Sequence, residues 1–248
     1  GPIAACRHLA RHFILGQMPS HHNGPVSSNV RRREFMVSAH PSRVLVEAFN
    51  RKPYQGAAPE SADFVFIGLD ANYSTDIEAS EVFAEVLEYH ADGPGFWRKY
   101  GVHHPFLLPQ YRGDGRRYHH TFAKIGFRPK HADCVSFVEL LDFPTTGRNQ
   151  LSLEDLNESH LKRIRNVIFN SRARFLFLSA GVLRLLERTK LFSELSNVKR
   201  DFRGLKVLFE DDDRAVFLHL HFSNYGKFEQ QLQSEARAIS SLISNSDA

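Results

Sequence analysis

Cysteine is nearly absent from this chain: 248 residues hold only Cys6 and Cys134, with no CxxC pair. Two thiols cannot build a disulfide scaffold, a zinc ribbon or a four-cysteine iron–sulfur site, and they suit a reducing, cytoplasmic or nucleoid-associated setting. No stretch approaches the roughly 18 consecutive apolar residues of a membrane helix. The segment from His8 to Met18 is interrupted by Arg11 and His12, which rules out a signal-peptide core. A strong charge of one sign is missing too, since 32 basic against 28 acidic residues leave a net +4. Local clusters are Arg31 to Arg33, Arg112 with Arg116 and Arg117, and Arg163 with Arg165, spots that could meet phosphates. Fourteen histidines include the adjacent pairs His21-His22, His103-His104 and His119-His120, whose members rarely point the same way, and none of these pairs makes HxxxH or a His–carboxylate spacing on a helix. Neither a metal nor an organic cofactor is expected. The opening Gly1-Pro2 reads as the remnant of a tag.

The chain is rich in core-forming residues, 42% hydrophobic and 12% aromatic, enough for one well-buried domain with no internal repeat. Residues 1–60 form an N-terminal extension, partly irregular: 19–33 read as a loop or arm, 43–50 as a short helix, 53–61 as linker. From 61 to 248 strand-like runs alternate with helical patterns. The strands are Phe64–Leu69, Cys134–Leu141, Phe175–Ser179 and Val216–His221, with Lys206–Glu210 as a hairpin partner of the last. Helical spacing covers Glu78–Tyr89, Tyr118–Ile125, Leu156–Phe169, Val182–Glu187 and Lys227–Ile243, and Ser152 with Asp155 suggests a cap before the third. The fold class is α/β: a three-layer domain on a short, mainly parallel sheet of about four strands, flanked by helices.

Two strand ends carry chemistry. Phe64–Leu69 is followed at once by Asp70, and the apolar run from Ala215 ends in His219, His221 and Ser223. Ligands of open α/β sheets bind where parallel strands end. A carboxylate there can stabilise a developing cation and orient water, and an imidazole can stabilise a departing anion. Asp70 also suits a helix cap or a turn residue after a strand, and His221 a strand-end histidine satisfied by backbone. His219, on the same face as His221 by period 2, reads as supporting or core.

Gly68-Leu-Asp-Ala-Asn72 resembles the first signature of the uracil-DNA glycosylase superfamily, and His221-Phe-Ser-Asn-Tyr225 resembles the second. Leu140-Leu-Asp-Phe-Pro-Thr145 is similar to the segment after the corresponding strand in the mismatch-specific branch. The likeness spans roughly residues 60 to 245, in the right order. It departs at Ala71 and Phe222, where proline is usual, at Asn72, where uracil-strict members carry tyrosine, and at Glu139, near a usual base-reading Asn. The resemblance implies a uracil-DNA-glycosylase-like fold and cleavage of a sugar–base bond in DNA. Asp70 would then serve the sugar and water, and His221 the base. Gly68, Asn72, Phe106 and Glu139 would form the base pocket, with Phe106 stacking. Ser223, Asn224, Tyr225 and Lys227 would contact DNA, Tyr225 as the wedge.

Glu139, taken as ionised, offers only acceptors, which suits the amino group of cytosine better than uracil O4. With Asn72 in place of a bulky ring, the expected substrate is an aberrant or modified pyrimidine, a C5-modified cytosine included. Glu139 could also face a helix and pair with an arginine, and Phe106 or Tyr225 could simply pack. Three alternatives stay open: an ordinary uracil or mismatch glycosylase, a non-catalytic nucleic-acid binder on the same fold, and a nucleoside hydrolase. The partner is DNA, the chain is expected to act as a monomer away from membranes, and whether it serves repair or defence against foreign DNA is open. No lysine lies in either signature motif, so Schiff-base chemistry is not expected.

Overall fold

Alternation of aromatic and aliphatic residues along four strands organises the molecule. A computed structural model describes residues 37–147 and 150–246. The arginines 31–33, the stretch 19–33, Cys6 and the His21-His22 pair lie outside the described residues. Contacts divide the chain into Gly1–Phe35 and Met36–Ala248, and the second unit contains all that follows.

In chain order this unit contains α1 (Arg43–Arg51), β1 (Gln55–Gly56), β2 (Phe64–Gly68), α2 (Phe83–Ala91), α3 (Gly93–Tyr100), α4 (Arg116–Ala123) and β3 (Val135–Glu139). It continues through α5 (Glu158–Asn170), β4 (Phe175–Ser179), α6 (Ala180–Arg188), β5 (Arg200–Phe202), β6 (Leu205–Glu210), β7 (Ala215–His219) and α7 (Glu229–Ser246). One sheet runs β1-β3-β2-β4-β7-β6-β5. The neighbours β3-β2, β2-β4 and β4-β7 are parallel, in register Phe66↔Phe137, Phe66↔Phe177 and Phe177↔Phe217. β1 and the β6–β5 pair add antiparallel edges. The class is α/β as expected, but the sheet has seven strands rather than about four.

Period-2 geometry sends Val65, Ile67, Val138, Leu176, Leu178 and Val216 to one face. They pack on Leu161, Ile164 and Ile168 of α5 and on Val182 and Leu186 of α6. The other face is aromatic: Phe64, Phe66, Phe137, Phe177 and Phe217 meet Phe122 of α4, Trp97 of α3 and Leu232, Ile239 and Leu242 of α7. Phe66 stacks between Phe137 and Phe177, at 5.6 and 4.8 Å between ring centroids. A third cluster joins Leu45 and Phe49 of α1, Val86 and Tyr89 of α2, and Tyr73, Phe106 and Tyr111. Among the described residues no helix is long and apolar enough to cross a membrane.

The boundaries differ from expectation where local signals mislead. The stretch read as linker contains β1, and Gly56 there has φ +76° with Val135 O so near that a Cβ would lie 2.6 Å from it. α3 hides behind Gly93-Pro-Gly95, which reads as a breaker. Asp92 instead caps the helix, accepting from Gly95 N–H at 2.9 Å, and proline fits its first turn. The Ser152–Asp155 box closes a 3-10 turn, and α5 begins beyond it under an Asn157 cap. The helical spacing from Glu78 divides into a 3-10 turn, Ile77–Ala79, and α2.

Candidate active site

In chain order the four parallel strands lie 2-1-3-4, with the reversal between β2 and β4, and open α/β sheets bind ligands at such a reversal. The carboxyl ends of β2, β3 and β7 open into a cavity of about 390 Å³. That volume falls in the usual small-ligand range of about 300–1,000 Å³. Gly68, Asp70, Asn72, Phe106, Glu139, His221 and Ser223 all line it.

Asp70 is held by a continuation of the β2–β3 ladder. Leu140 N–H and Leu141 N–H donate to Gly68 O and Leu69 O, and Thr145 N–H donates to Ala71 O at 2.9 Å. This places the fully buried Thr145 so that its Oγ1 donates to Asp70 Oδ2 at 2.5 Å while accepting Gly147 N–H at 3.0 Å. Desolvation raises the Asp70 pKa, opposed by the Thr145 hydroxyl and then by the charge of His221.

His221 stands two residues beyond β7, in a turn rather than on the strand, exposed at the cavity rim. Its Nδ1 accepts Ser223 N–H at 3.3 Å, so the neutral ring carries its hydrogen on Nε2. Surrounding protein nonetheless lowers its pKa by desolvation, and Asp70 opposes the shift. Phe222, buried against Tyr118 and Phe66, anchors the turn. Glu235 of α7, itself buried, accepts Leu220 N–H at 2.8 Å and so fixes the backbone just before His221. His219 lines the cavity and bonds Leu220 O, and burial pushes its pKa down to about 4.

Glu139 ends β3 opposite Gly68. A Cβ on Gly68 would lie 2.0 Å from Glu139 Oε2, so glycine there makes room for the carboxyl. Among the described residues it pairs with no arginine; burial, with Asp70 nearby, pushes its pKa up to about 8. That shift favours the neutral acid near neutrality, against the expectation of an ionised, acceptor-only group. Asn72 is exposed at the mouth, bridged to Thr145 and packed on Gly147. Phe106 is 3% exposed and stacks on Tyr111 at 4.2 Å and 4°, so Tyr111 already covers one of its faces.

Ser223, Asn224, Tyr225 and Lys227 follow on the surface. Asn224 closes the turn by donating its N–H and Nδ2 to His221 O. Tyr225 is 66% exposed beneath the Arg117 guanidinium, 4.5 Å from its ring centroid. The expected basic spot at Arg163 and Arg165 is not free: the first pairs with Glu60 at 2.8 Å, the second with Glu194 at 2.5 Å.

Sequence reasoning passed over Thr145 as a functional side chain, and over Tyr118, His104 and His119 as cavity walls. The rings of His104 and His119 stack at 3.6 Å and 8°, and His119 Nδ1 shares a hydrogen bond with His103 Nε2 at 3.1 Å. His104 Nδ1 accepts Phe106 N–H, which leaves its hydrogen on Nε2. Burial lowers the pKa of all three, that of His119 to about 3, so they are neutral at physiological pH. Adjacent histidines in the sequence carry no hint of this pairing between His104 and His119. Among the described residues no three His, Cys, Asp or Glu side chains gather as a metal would need. No protein-family model matches the chain, and no curated protein matches it with significance.

Proposed function

We propose that this chain is a monofunctional DNA glycosylase that releases a flipped-out aberrant or modified pyrimidine and leaves an abasic site. One observation carries the reading: Asp70 and His221, remote in sequence, face one cavity of base size, the first fixed by Thr145 and the second holding its hydrogen on Nε2. Stretching an N-glycosidic bond builds positive charge on the sugar and negative charge on the base. Ionised Asp70 stabilises the first and orients the attacking water. His221 Nε2–H stabilises the second by donating to a base oxygen, and with Nδ1 accepting Ser223 N–H and the pKa lowered, the neutral ring still keeps that hydrogen on Nε2. The uracil-DNA glycosylase resemblance supports the same assignment, and a strand-order reversal beside Asp70 suits a ligand site of any kind on an open α/β sheet.

Tyr225 on the exposed rim, backed by Arg117, suits the gap left by a flipped nucleotide, and Lys227 and Ser223 suit the flanking phosphates. The exposure of Asn72 leaves room at the mouth for a group on C5, in keeping with a modified cytosine. The test is a set of duplexes carrying single uracil, mismatched thymine or C5-modified cytosine, scored for abasic sites with wild type and Asp70→Asn. Base release lost in the variant while DNA binding persists supports the reading. Release from free nucleosides but from no duplex overturns it in favour of a nucleoside hydrolase. DNA binding without release from any substrate overturns it in favour of a binder.

A further inference from the structure

The Glu139 carboxyl is the best-placed polar group in the cavity that the bond-breaking step leaves unused. It fills the space a Gly68 side chain would take, with Oε2 and Oε1 at 2.0 and 2.9 Å from where a Cβ would be. Among the described residues no side chain or backbone group donates a hydrogen bond to it, while its own backbone oxygen is taken by His160 Nε2 at 2.8 Å. Among the described residues lining the cavity none is a lysine or an arginine.

Among the described residues the charge that acts on it, that of Asp70, argues against ionisation. Asp70, just past β2, is a second carboxylate in the same cavity, and it has Thr145 and His221 to hold its charge where Glu139 has neither. Tyr73 beyond β2, Tyr89 on α2 and Tyr118 on α4 feel the Glu139 charge, and burial keeps all three phenols protonated. The imidazoles across the cavity, His104, His119, His219 and His221, are all shifted toward the neutral form. When two carboxyls share a site and one is better solvated by donors, the other keeps the proton.

Resting on the glycosylase reading, we infer that Glu139 is the base-reading group and works as a neutral carboxylic acid that accepts both cytosine-type and uracil-type edges. A carboxylic acid presents an O–H donor beside a C=O acceptor. Against cytosine the O–H donates to N3 and the C=O accepts from the 4-amino group. Against uracil the C=O accepts from N3–H and the O–H donates to O4. Passing between the two pairings only moves the proton from one oxygen to the other. A side-chain amide has to rotate by half a turn to do the same, and its neighbours fix one orientation. Ionised Glu139 keeps a single pairing with either base and sets an acceptor against an acceptor. Discrimination between pyrimidines then falls to the C5 side of the cavity rather than to Glu139.

The experiment pairs kinetics with infrared spectroscopy of the full chain. Duplexes with one uracil or one 5-hydroxymethylcytosine are cleaved across pH 6–10 by wild type and Glu139→Gln. In parallel, spectra at pH 6.5 and 9.5 seek the carbonyl stretch of a protonated carboxyl. Burial raises the Glu235 pKa as well, so the Glu139 band is identified as the one that Glu139→Gln removes. The expected result is release from both duplexes near neutrality. Both rates then fall in parallel by about tenfold per pH unit once the acid ionises. That alkaline limb is missing in Glu139→Gln, and the wild-type band vanishes as pH rises through about 8. Absence of the band at pH 6.5 overturns the inference, as does an alkaline limb that persists in Glu139→Gln. If the band is present but neither duplex loses its base at any pH, the neutral acid stands and the glycosylase reading falls.

Discussion

Replacing Thr145 by valine tests whether Asp70 is a prepared catalytic anion or only a turn residue. The substitution keeps the shape of a fully buried side chain and deletes one hydroxyl, which donates to Asp70 Oδ2 and accepts Gly147 N–H. A hydrogen bond to a charged group contributes about 1.5–3 kcal/mol. At about 1.4 kcal/mol per tenfold, base release at neutral pH falls by about ten- to a hundredfold if that bond serves the transition state. The hydroxyl is also one of the influences lowering the Asp70 pKa, so its loss raises that pKa further. The reaction needs ionised Asp70, and the acid limb of the pH–rate profile therefore moves to higher pH. Thr145→Ser keeps the donor and restores most of the rate. The assay is single-turnover base release from the best duplex, pH 4–9, with urea unfolding alongside to separate chemistry from stability. An unmoved acid limb in Thr145→Val, in a variant that folds, refutes the role given to the pair.

Other expectations follow from the same geometry. His221→Ala loses about a hundred- to a thousandfold in single-turnover rate, the usual cost of one oxyanion donor, with duplex affinity little changed by gel shift. Gly68→Ala destabilises by about 1–3 kcal/mol in urea, because its Cβ collides with the Glu139 carboxyl, and adding Glu139→Ala recovers most of the loss. Glu139→Gln gains stability relative to wild type as pH rises from about 4.5 to about 8 and levels off beyond. The sign follows because the folded pKa lies above the usual glutamate value of 4.5, so wild type loses stability across that interval while the amide does not. Tyr225→Ala slows release from duplex more than from single-stranded DNA, where no stack has to be opened, as parallel time courses will read.

Legibility in the sequence tracked the range of the interaction. The two faces of the sheet could be read directly, since Phe64 and Phe66 alternate with Val65 and Ile67 and the same alternation recurs at Phe175–Ser179. Asp70 and His221 stood out because each follows an apolar run at once. Thr145 did not, because its contact with Asp70 spans 75 positions and exists only once β3 lies beside β2. The stacking of His104 on His119 depends on how the stretch between α3 and α4 folds back, and no periodicity encodes that. The position of Glu139 at a strand end was readable, but its protonation was not. Ionisation is set by what surrounds a carboxyl, and among the described residues that is a second carboxylate and three phenols, with no lysine or arginine lining the cavity. β1 escaped because two residues carry no pattern, and α3 because glycine and proline signal an end more loudly than a beginning.

Strand order explains why these two ends, of all those available, can face a single substrate. Asp70 follows β2 and His221 follows β7, and β4 lies between them. Neighbouring strands are about 4.8 Å apart, so the two chain exits are separated by about 10 Å across the sheet, close to the span of a sugar and its base. The intervening strand leaves that gap open: β4 ends at Ser179 and α6 begins at Ala180, so no loop rises between the exits. On the far side of β2, β3 delivers Glu139 at the same level as Gly68, and the absent side chain at 68 lets the carboxyl lean over the strand toward the cavity. The acid, the imidazole and the reading group are thus spaced by the sheet itself, while the loops only aim them. Loop substitutions at Ala71 and Phe222 can therefore differ from the resembling signatures without moving the exits, provided each still seats its turn. Phe222 does so by burial in the aromatic core, where a proline would do so by stiffness.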